Sequence, residues 1–280
     1  MARRLIGRVA ALARYPVKSM LGEELSETEI TIGGAVGDRA WALREIATGK
    51  IVSAKKFSRM FEFRASYDSQ PSIGATTPVT IQLPSGKTIH ADDPEASEVV
   101  SAALGRIVRL ERVDSTKRER AGIDPATVFG DVPVEKVQPA FTAATLPDDF
   151  GLARGTFFDS AIMHVIATGT LRHLARLAPG SVFDARRFRP SILVDTGDDA
   201  DSFVEDGWLE GILEVGETMR VIKMRPALRC VMTTHPQDGL AQDFAILRAA
   251  AFHHRANVGV FAAVGAPGKV RVGDPVHLAS

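Results

Sequence analysis

Residues 79–91 have the sequence VTIQLPSGKTIHA, in which two apolar segments flank the turn Pro84-Ser85-Gly86-Lys87. This pattern is typical of a β-hairpin, because Pro and Gly supply the turn and the flanking segments are short and rich in strand-forming residues. Similar segments, separated by Gly, Pro, Asp and Ser, occur at residues 5–14, 41–46 and 60–67. The sequence therefore predicts a β-domain in the first third of the chain.

Further along the chain, the pattern predicts more strands and a few helices. A helix is expected over 93–104, with Asp92 or Asp93 as N-cap and Gly105 at its end, followed by a strand over 107–113. A second helix is expected from Asp159-Ser160 to Pro179-Gly180. His164 on it could face a pocket, although a buried histidine with its hydrogen bonds satisfied is the favoured interpretation. A third is expected near 244–252, and strands at 191–195, 211–215, 219–224, 258–264 and 270–278. The predicted fold class is mostly β with several helices (α+β).

Residues 114–157 are rich in Pro, Asp and Thr and have few periodic apolar positions. We expect a long irregular connection there, and we place a domain boundary in it. The predicted domains are 1–120 and 121–280, and the second contains Cys230.

Composition excludes several classes of protein. The chain has 280 residues, with 34 basic and 34 acidic side chains and a hydrophobic fraction of 45%. Such a balance argues against a dedicated nucleic-acid binder, and the apolar content argues against global disorder. Cys230 is the single cysteine, so an intrachain disulfide and sites built from several thiolates are excluded.

Neither a membrane segment nor a targeting segment is predicted. The longest uncharged apolar stretch, 160–171, is too short to span a bilayer. The first twenty residues carry five basic residues and no acid, which is the composition of a mitochondrial presequence. Their strand-like pattern favours a folded segment instead. We therefore expect a cytoplasmic protein without a membrane or nucleic-acid partner.

The sequence Arg225-Pro226-Ala227-Leu228-Arg229-Cys230-Val231-Met232-Thr233-Thr234 places the lone thiol between two arginines. A lone cysteine is most often a small buried apolar residue. Neighbouring positive charge, however, favours the thiolate, which binds metals and attacks electrophiles. Cys230 also follows a predicted strand and precedes a turn-rich segment, where binding sites are often built.

Three other segments place cations next to turns: Tyr15-Pro16-Val17-Lys18-Ser19, Gly37-Asp38-Arg39-Ala40-Trp41 and Arg186-Arg187-Phe188-Arg189-Pro190-Ser191. Each could bind an anion, since Arg offers forked donors to phosphate and Lys offers a compact charge. Each could equally be solvated or paired with a neighbouring carboxylate. Together with a thiolate, they would suit a phosphate-bearing cofactor with a thiol-bound metal.

These segments, with Phe188-Arg189-Pro190, Arg229-Cys230-Val231-Met232-Thr233-Thr234 and Val272-Gly273-Asp274-Pro275-Val276, occur in an order that resembles the MOSC (molybdenum cofactor sulfurase C-terminal) family. The chain is similar to its two-part members, in which an N-terminal β-barrel domain precedes the MOSC domain. The resemblance implies a β-barrel-like domain over 1–120 and a MOSC β-barrel domain over 121–280. Those members include amidoxime-reducing proteins of mitochondria and bacteria.

The resemblance implies a site for the molybdenum cofactor, a pyranopterin phosphate (molybdopterin). By position, Cys230 matches the thiolate that binds molybdenum, and Asp159 matches an acid beside the metal that could handle protons. The other matching positions form the implied cofactor-binding set: Lys18, Ser19, Arg39, Ser160, Arg189, Ser191 and Arg229. The chain departs from the family pattern at Leu228 and Ser191, where a hydroxyl residue and an asparagine are usual. A third departure is Phe261, which stands where a tyrosine is usual.

The resemblance implies a molybdenum-dependent reductase of N-hydroxylated compounds of the amidoxime type. No flavin, haem or Rossmann signature is visible, so electrons would come from a separate donor: a ferredoxin, a flavoprotein reductase or a cytochrome-b5-like protein. Two alternatives stay open. The chain could carry the cofactor, or sulfur as a persulfide on Cys230; or it could be a metal-free barrel that binds a small molecule.

Overall fold

The computed structural model describes residues 3–73, 77–114, 156–197 and 202–280. The strands in these ranges are β1 (Arg3–Arg14), β2 (Glu23–Leu25), β3 (Glu27–Thr31), β4 (Gly34–Ala35), β5 (Trp41–Glu45), β6 (Arg64–Tyr67), β7 (Val79–Gln82), β8 (Thr88–His90), β9 (Val108–Arg112), β10 (Met163–Ala167), β11 (Ile192–Asp195), β12 (Ile212–Val215), β13 (Met219–Leu228), β14 (Asn257–Ala266), β15 (Gly268–Arg271) and β16 (Pro275–Ala279). The helices are α1 (Ala96–Leu104), α2 (Thr168–Leu177) and α3 (Ala245–His254). None of the helices in these ranges has the length and apolar character needed to cross a bilayer.

Seven of the described strands close into a β-barrel. Their order is β11-β10-β14-β13-β12-β16-β1, and β1 pairs back onto β11 to complete the ring. The first strand of the chain thus joins the barrel formed by the last ones, with Leu12 opposite Ile192 and Arg8 opposite Pro275. Closure leaves the ring without an unpaired edge, and its interior is filled by buried apolar side chains such as Trp208 and Met219. The predicted class, mostly β with helices, is confirmed.

A second apolar core lies among the smaller sheets of the N-terminal part. The sheet β6-β7-β8 and the pair β5–β9 enclose buried side chains that include Leu43, Met60 and Phe63. The predicted hairpin over 79–91 is confirmed, with Ile81 opposite Ile89 in register. Gly86 has φ +84° at its turn, a left-handed conformation that glycine adopts without steric cost.

Two local predictions in this part are wrong. The continuous strand expected over 60–67 is a 3-10 turn (Ser58–Glu62) followed by β6, because consecutive apolar residues here are buried without alternating between two faces. Helix α1 begins at Ala96 with no side-chain cap, so neither Asp92 nor Asp93 is the N-cap. Asp93 instead accepts a hydrogen bond from His90 N at 3.0 Å. Gly105 ends the helix in the left-handed conformation, as predicted.

The helix predicted to begin at Asp159-Ser160 is also wrong in its first half. Residues Met163–Ala167 form β10, which pairs in parallel with β11 and antiparallel with β14, and helix α2 begins only at Thr168. Every residue of β10 is buried. A strand covered on both faces has no alternating pattern, and periodicity alone does not separate it from a buried helix.

The predicted domain division between residues 120 and 121 lies outside the described residues and stays a prediction. Most of the irregular connection predicted over 114–157 lies outside them as well.

The N-terminus of α2 is capped by a carboxylate from a distant part of the chain. Glu205 Oε1 accepts a hydrogen bond from Ala167 N at 2.7 Å, and Oε2 accepts one from the Thr170 hydroxyl. Burial raises the pKa of Glu205 to about 7, and these hydrogen bonds only partly offset the effect. The native state therefore holds the Glu205 proton more tightly than the unfolded chain does.

We expect this carboxyl group to make stability depend on pH. Because its folded pKa is raised, its stabilising contribution is complete below about pH 4.5 and is lost as the pH rises through about 7. The unfolding free energy of Glu205→Gln minus that of wild type should rise by about 2–3 kcal/mol from pH 5 to pH 8.5, measured by urea denaturation. Glu210→Gln, which removes an exposed carboxylate, is the matched control. A flat difference for Glu205→Gln would contradict the assignment.

Candidate functional site

A cavity of about 170 Å³ brings together all nine residues that the sequence singled out as site residues. They are Lys18, Ser19, Arg39, Asp159, Ser160, Arg189, Ser191, Arg229 and Cys230. They come from four regions of the chain that are far apart in sequence, and the folding of β1 onto β11 draws the first region to the others. We call this space the cationic cavity.

Cys230 lies at the point where β13 has ended and the backbone turns. It is extended (φ −128°) and precedes a 3-10 turn (Val231–Thr234). Its carbonyl accepts hydrogen bonds from Thr233 N at 3.1 Å and Thr233 Oγ1 at 3.0 Å. These bonds hold the backbone in place, while the partly exposed thiol lines the cavity.

The cavity has a strong excess of positive charge in a chain that has no net charge. Among the described residues, seven cationic side chains and one carboxylate, that of Asp159, line it. The cations are Lys18, Arg39, Lys55, Arg187, Arg189, Arg225 and Arg229. Like charges at close range in a buried site repel one another, so an anionic ligand would relieve an existing electrostatic cost.

The pKa values of two arginines reflect this cost. Burial, followed by the neighbouring charge of Arg39, lowers the pKa of Arg189 to about 10. Burial likewise lowers the pKa of Arg229 to about 10, and the nearby Cys230 partly opposes the shift. Both guanidinium groups are still charged at neutral pH, but in surroundings that disfavour the charge.

Three of the predicted cofactor-binding residues have a left-handed backbone. The φ angles are +68° for Ser19, +49° for Arg39 and +55° for Arg189. A non-glycine residue in this conformation costs about 1–2 kcal/mol, so the surrounding structure must impose it. Arg39 and Arg189 lie over the ring of Tyr15, with guanidinium carbons 4.4 and 4.0 Å from its centroid. Stacking and backbone strain together fix where these two cations sit.

Asp159 is held between two lysines. Lys18 Nζ donates to Asp159 Oδ1 at 2.7 Å and Lys55 Nζ donates to Oδ2 at 3.2 Å. Burial alone would raise the pKa of Asp159, but the two ammonium groups outweigh it and hold that pKa well below its usual range. Burial lowers the pKa of Lys18, an effect that Asp159 partly opposes. The group is therefore an ionised carboxylate with two ammonium partners.

Lys55, Arg187 and His164 line the cavity but were not among the predicted site residues. His164 was expected on a helix; it lies on β10 instead, as a buried histidine with Nε2 3.0 Å from Val258 O and 3.4 Å from Arg229 Nη1. Burial and the charge of Arg229 lower its pKa well below the usual value, so the ring is neutral. For Lys55, which lies in an irregular segment, the sequence offered no signal beyond its charge.

Two of the departures from the family pattern form an apolar part of the cavity wall. Leu228 and Phe261 both line it. The Phe261 ring lies under two cations, with the guanidinium carbons of Arg225 and Arg229 at 5.2 and 5.5 Å from its centroid. A phenylalanine can hold these arginines by cation–π contact, but it offers no hydroxyl group to a ligand.

Comparison with known protein families matches two consecutive parts of the chain to two domains. The family model of the MOSC N-terminal beta barrel domain matches residues 6–109, and that of the MOSC domain matches residues 153–277. The chain belongs to the MOSC family. It is similar to mitochondrial amidoxime-reducing component 1 of Mus musculus, with 26% identity over 308 residues that cover 98% of this chain and 82% of the mouse protein.

Among solved structures, this MOSC protein has a likeness to the YUAD protein from Bacillus subtilis. The identity is 11% and the TM-score 0.43, with 100% of this chain and 98% of the other covered. We draw no conclusion from a likeness at that level.

Proposed function

We propose that this MOSC protein binds the molybdenum cofactor in the cationic cavity, with Cys230 as the protein ligand to molybdenum. The observation that carries the proposal is that the single thiol of the chain opens into the same cavity as seven cationic side chains. A thiolate is a soft ligand suited to a metal–sulfur bond, and clustered cations suit a phosphate.

The residues present fit such a group. Arg229 lines the cavity, and its Nε atom is buried without a hydrogen-bond partner among the described residues. A buried donor left unmet is costly, and a phosphate or pterin oxygen would satisfy it. Lys18, Arg39 and Arg189 would hold the phosphate and pterin. The serines at 19, 160 and 191 would add hydroxyl donors.

The reaction that we propose is reduction of an N-hydroxylated compound. In balanced form, R–NHOH accepts two electrons and two protons, the N–O bond breaks, and R–NH2 and water leave. The cofactor, when bound, supplies the two-electron centre at which the N–O bond is cleaved. The contribution of the chain is to anchor the metal through Cys230, to orient the cofactor through its cations, and to present the apolar wall of Leu228 and Phe261 to the substrate.

The proton-handling role predicted for Asp159 stays a prediction. Because both of its oxygens accept hydrogen bonds from ammonium groups, the carboxylate has no proton of its own near neutral pH. A proton delivered through Asp159 would therefore come from Lys18 or Lys55. In the resting site, the carboxylate holds the two lysines in place.

The two electrons would come from a separate protein. We propose a one-electron or two-electron donor of the ferredoxin, flavoprotein reductase or cytochrome-b5-like class, since the sequence has no signature of a flavin or haem site of its own.

A second candidate function is that of a cofactor or sulfur carrier. It is favoured by Leu228, which removes a hydroxyl group next to Arg229-Cys230, and by the partial exposure of the thiol. In that case Cys230 would attack the persulfide of a desulfurase, take its outer sulfur, and release the donor as a thiol.

One assay separates the two functions. Protein made in a host that synthesises the cofactor is mixed with benzamidoxime and reduced methyl viologen, and benzamidine is measured. The reductase proposal predicts turnover that is lost in Cys230→Ala. Bound molybdenum without turnover would favour the carrier, and sulfur transfer from a desulfurase to Cys230 in molybdenum-free protein would favour the persulfide.

A further inference from the structure

A second cavity, of about 280 Å³, has Arg189 in its wall, as the cationic cavity does. Its apolar wall includes Leu12 of β1, Leu193 of β11 and Pro190, which lies two residues before β11. Four carboxylates and three arginines also line it, so its charge is far less positive than that of the cationic cavity.

Two of the three arginines of the second cavity are already paired with carboxylates. Arg64 Nη2 pairs with Asp238 Oδ1 at 2.5 Å, and Arg186 bridges Asp238 at 2.8 Å and Asp184 at 2.7 Å. Arg189 donates to Met20 O at 2.7 Å and stacks on Tyr15. Arg64 and Arg186 have carboxylate partners, and Arg189 is shared with the cationic cavity, so the second cavity is not a separate phosphate site.

Two acceptors of the second cavity, by contrast, are unmatched. Gln237 is only 4% exposed, and its Oε1 atom is buried without a hydrogen-bond partner among the described residues. Its Nε2 atom donates to Met232 O at 3.4 Å, and reciprocal backbone hydrogen bonds between Gln237 and Leu240 fix the turn that carries it. Glu24 also lines the cavity, and its carboxylate pairs with none of the described side chains.

Acceptors without donors, beside an apolar wall, define the kind of ligand that would complete the site. A buried carbonyl oxygen without a partner is costly, and an N–H group of a ligand would remove that cost. The exposed carboxylate of Glu24, which lines the same cavity, favours a positive charge on the same ligand. An apolar body would displace water from the partly exposed wall of Ala11, Ala13 and Leu193.

We propose that the second cavity binds a small organic cation, an amine or amidine attached to an apolar body, with its N–H groups directed to Gln237 and Glu24. The site does not depend on the proposed function, since none of these acceptors lines the cationic cavity. It shares only Arg189 with that cavity.

Calorimetric titration of the purified full chain with benzamidine tests the site. The neutral isostere benzamide and the anion benzoate have the same apolar ring. We expect one benzamidine per chain, and binding of benzamide and benzoate at least about 10-fold weaker. Gln237→Leu should weaken benzamidine binding about 10-fold, and Glu24→Gln should weaken it about 3- to 10-fold.

Two features keep the result decisive. Glu24 is exposed, so Glu24→Gln is expected to fold even if Gln237→Leu does not. The matched control is Glu29→Gln, which removes an exposed carboxylate on β3 and should bind benzamidine as wild type does. The proposal is overturned if benzamidine does not bind, if benzamide binds equally well, or if neither Glu24→Gln nor Gln237→Leu weakens binding. Because the two cavities share only Arg189, failure here leaves the cofactor proposal standing.

Discussion

Replacement of Cys230 by serine is expected to lower the molybdenum content from about one atom per chain to less than about a tenth of that. The reason is chemical: a serine hydroxyl is not ionised near neutral pH and is a hard donor, whereas the thiolate that it replaces is a soft donor. The exchange removes little else, because the structure gives the Cys230 side chain no capping hydrogen bond. Metal analysis after purification from a host that makes the cofactor measures the effect.

Met232→Leu is the matched control for this prediction. Met232 lines the same cavity two residues further on, and its thioether is replaced by a side chain of similar size without sulfur. Full molybdenum content in Met232→Leu with loss in Cys230→Ser assigns the ligand to one sulfur atom. Equal molybdenum in wild type and Cys230→Ser would show that Cys230 is not the ligand.

The second large effect is expected from Lys18. Lys18 is 5% exposed, and its ammonium group donates to Asp159 and to Phe157 O at 2.5 Å. Lys18→Met leaves a mostly buried carboxylate with Lys55 as the remaining partner among the contacts described above. Breaking a buried pair in this way costs about 3–5 kcal/mol of unfolding free energy, and we expect the lower end because Lys55 remains.

A double-mutant cycle isolates that interaction. In Lys18→Met with Asp159→Asn, the uncompensated charge is gone, so we expect the double variant to recover about half of the loss or more. Urea denaturation of the four proteins measures the coupling. Additive losses would show that Lys18 and Asp159 stabilise the fold independently.

The pH dependence of the unfolding free energy is also expected to depend on Asp159, the partner of Lys18. Because the folded pKa of Asp159 is lowered, its stabilisation is complete above its unfolded pKa of about 4 and is lost as the pH falls further. Asp159→Asn should therefore lose less unfolding free energy than wild type between pH 5 and 3. An equal loss would contradict the ionised carboxylate that we assign.

The sequence predicted those parts of the fold that depend on local signals. Gly86 and Gly105 mark a hairpin turn and a helix end because their positions need a left-handed backbone. Strand β10 was not predicted because all of its residues, including His164, are buried, so the segment lacks the alternation that marks a half-buried strand. The cap of α2 was not predicted either, because Glu205 contacts Ala167 N only in the tertiary fold.

In the candidate site, too, residues with local sequence signals were predicted and residues placed by tertiary contacts were not. Short motifs around Lys18, Arg39, Arg189 and Cys230 could be matched to a family, and the fold places all four in one cavity. Lys55 had no motif around it, and its role as the second partner of Asp159 depends on a contact across 104 positions of sequence. The left-handed conformations of Ser19, Arg39 and Arg189 are likewise imposed by surroundings that a local pattern does not encode.

The central claim is that one thiol and a cluster of cations form a single site for a metal with a phosphorylated organic ligand. Its most direct test is the stoichiometry of molybdenum and of pterin phosphate in wild-type protein, purified from cells that also load a reference molybdenum enzyme. We predict about one of each per chain. Folded protein with neither, from cells in which the reference enzyme is fully loaded, would contradict the claim.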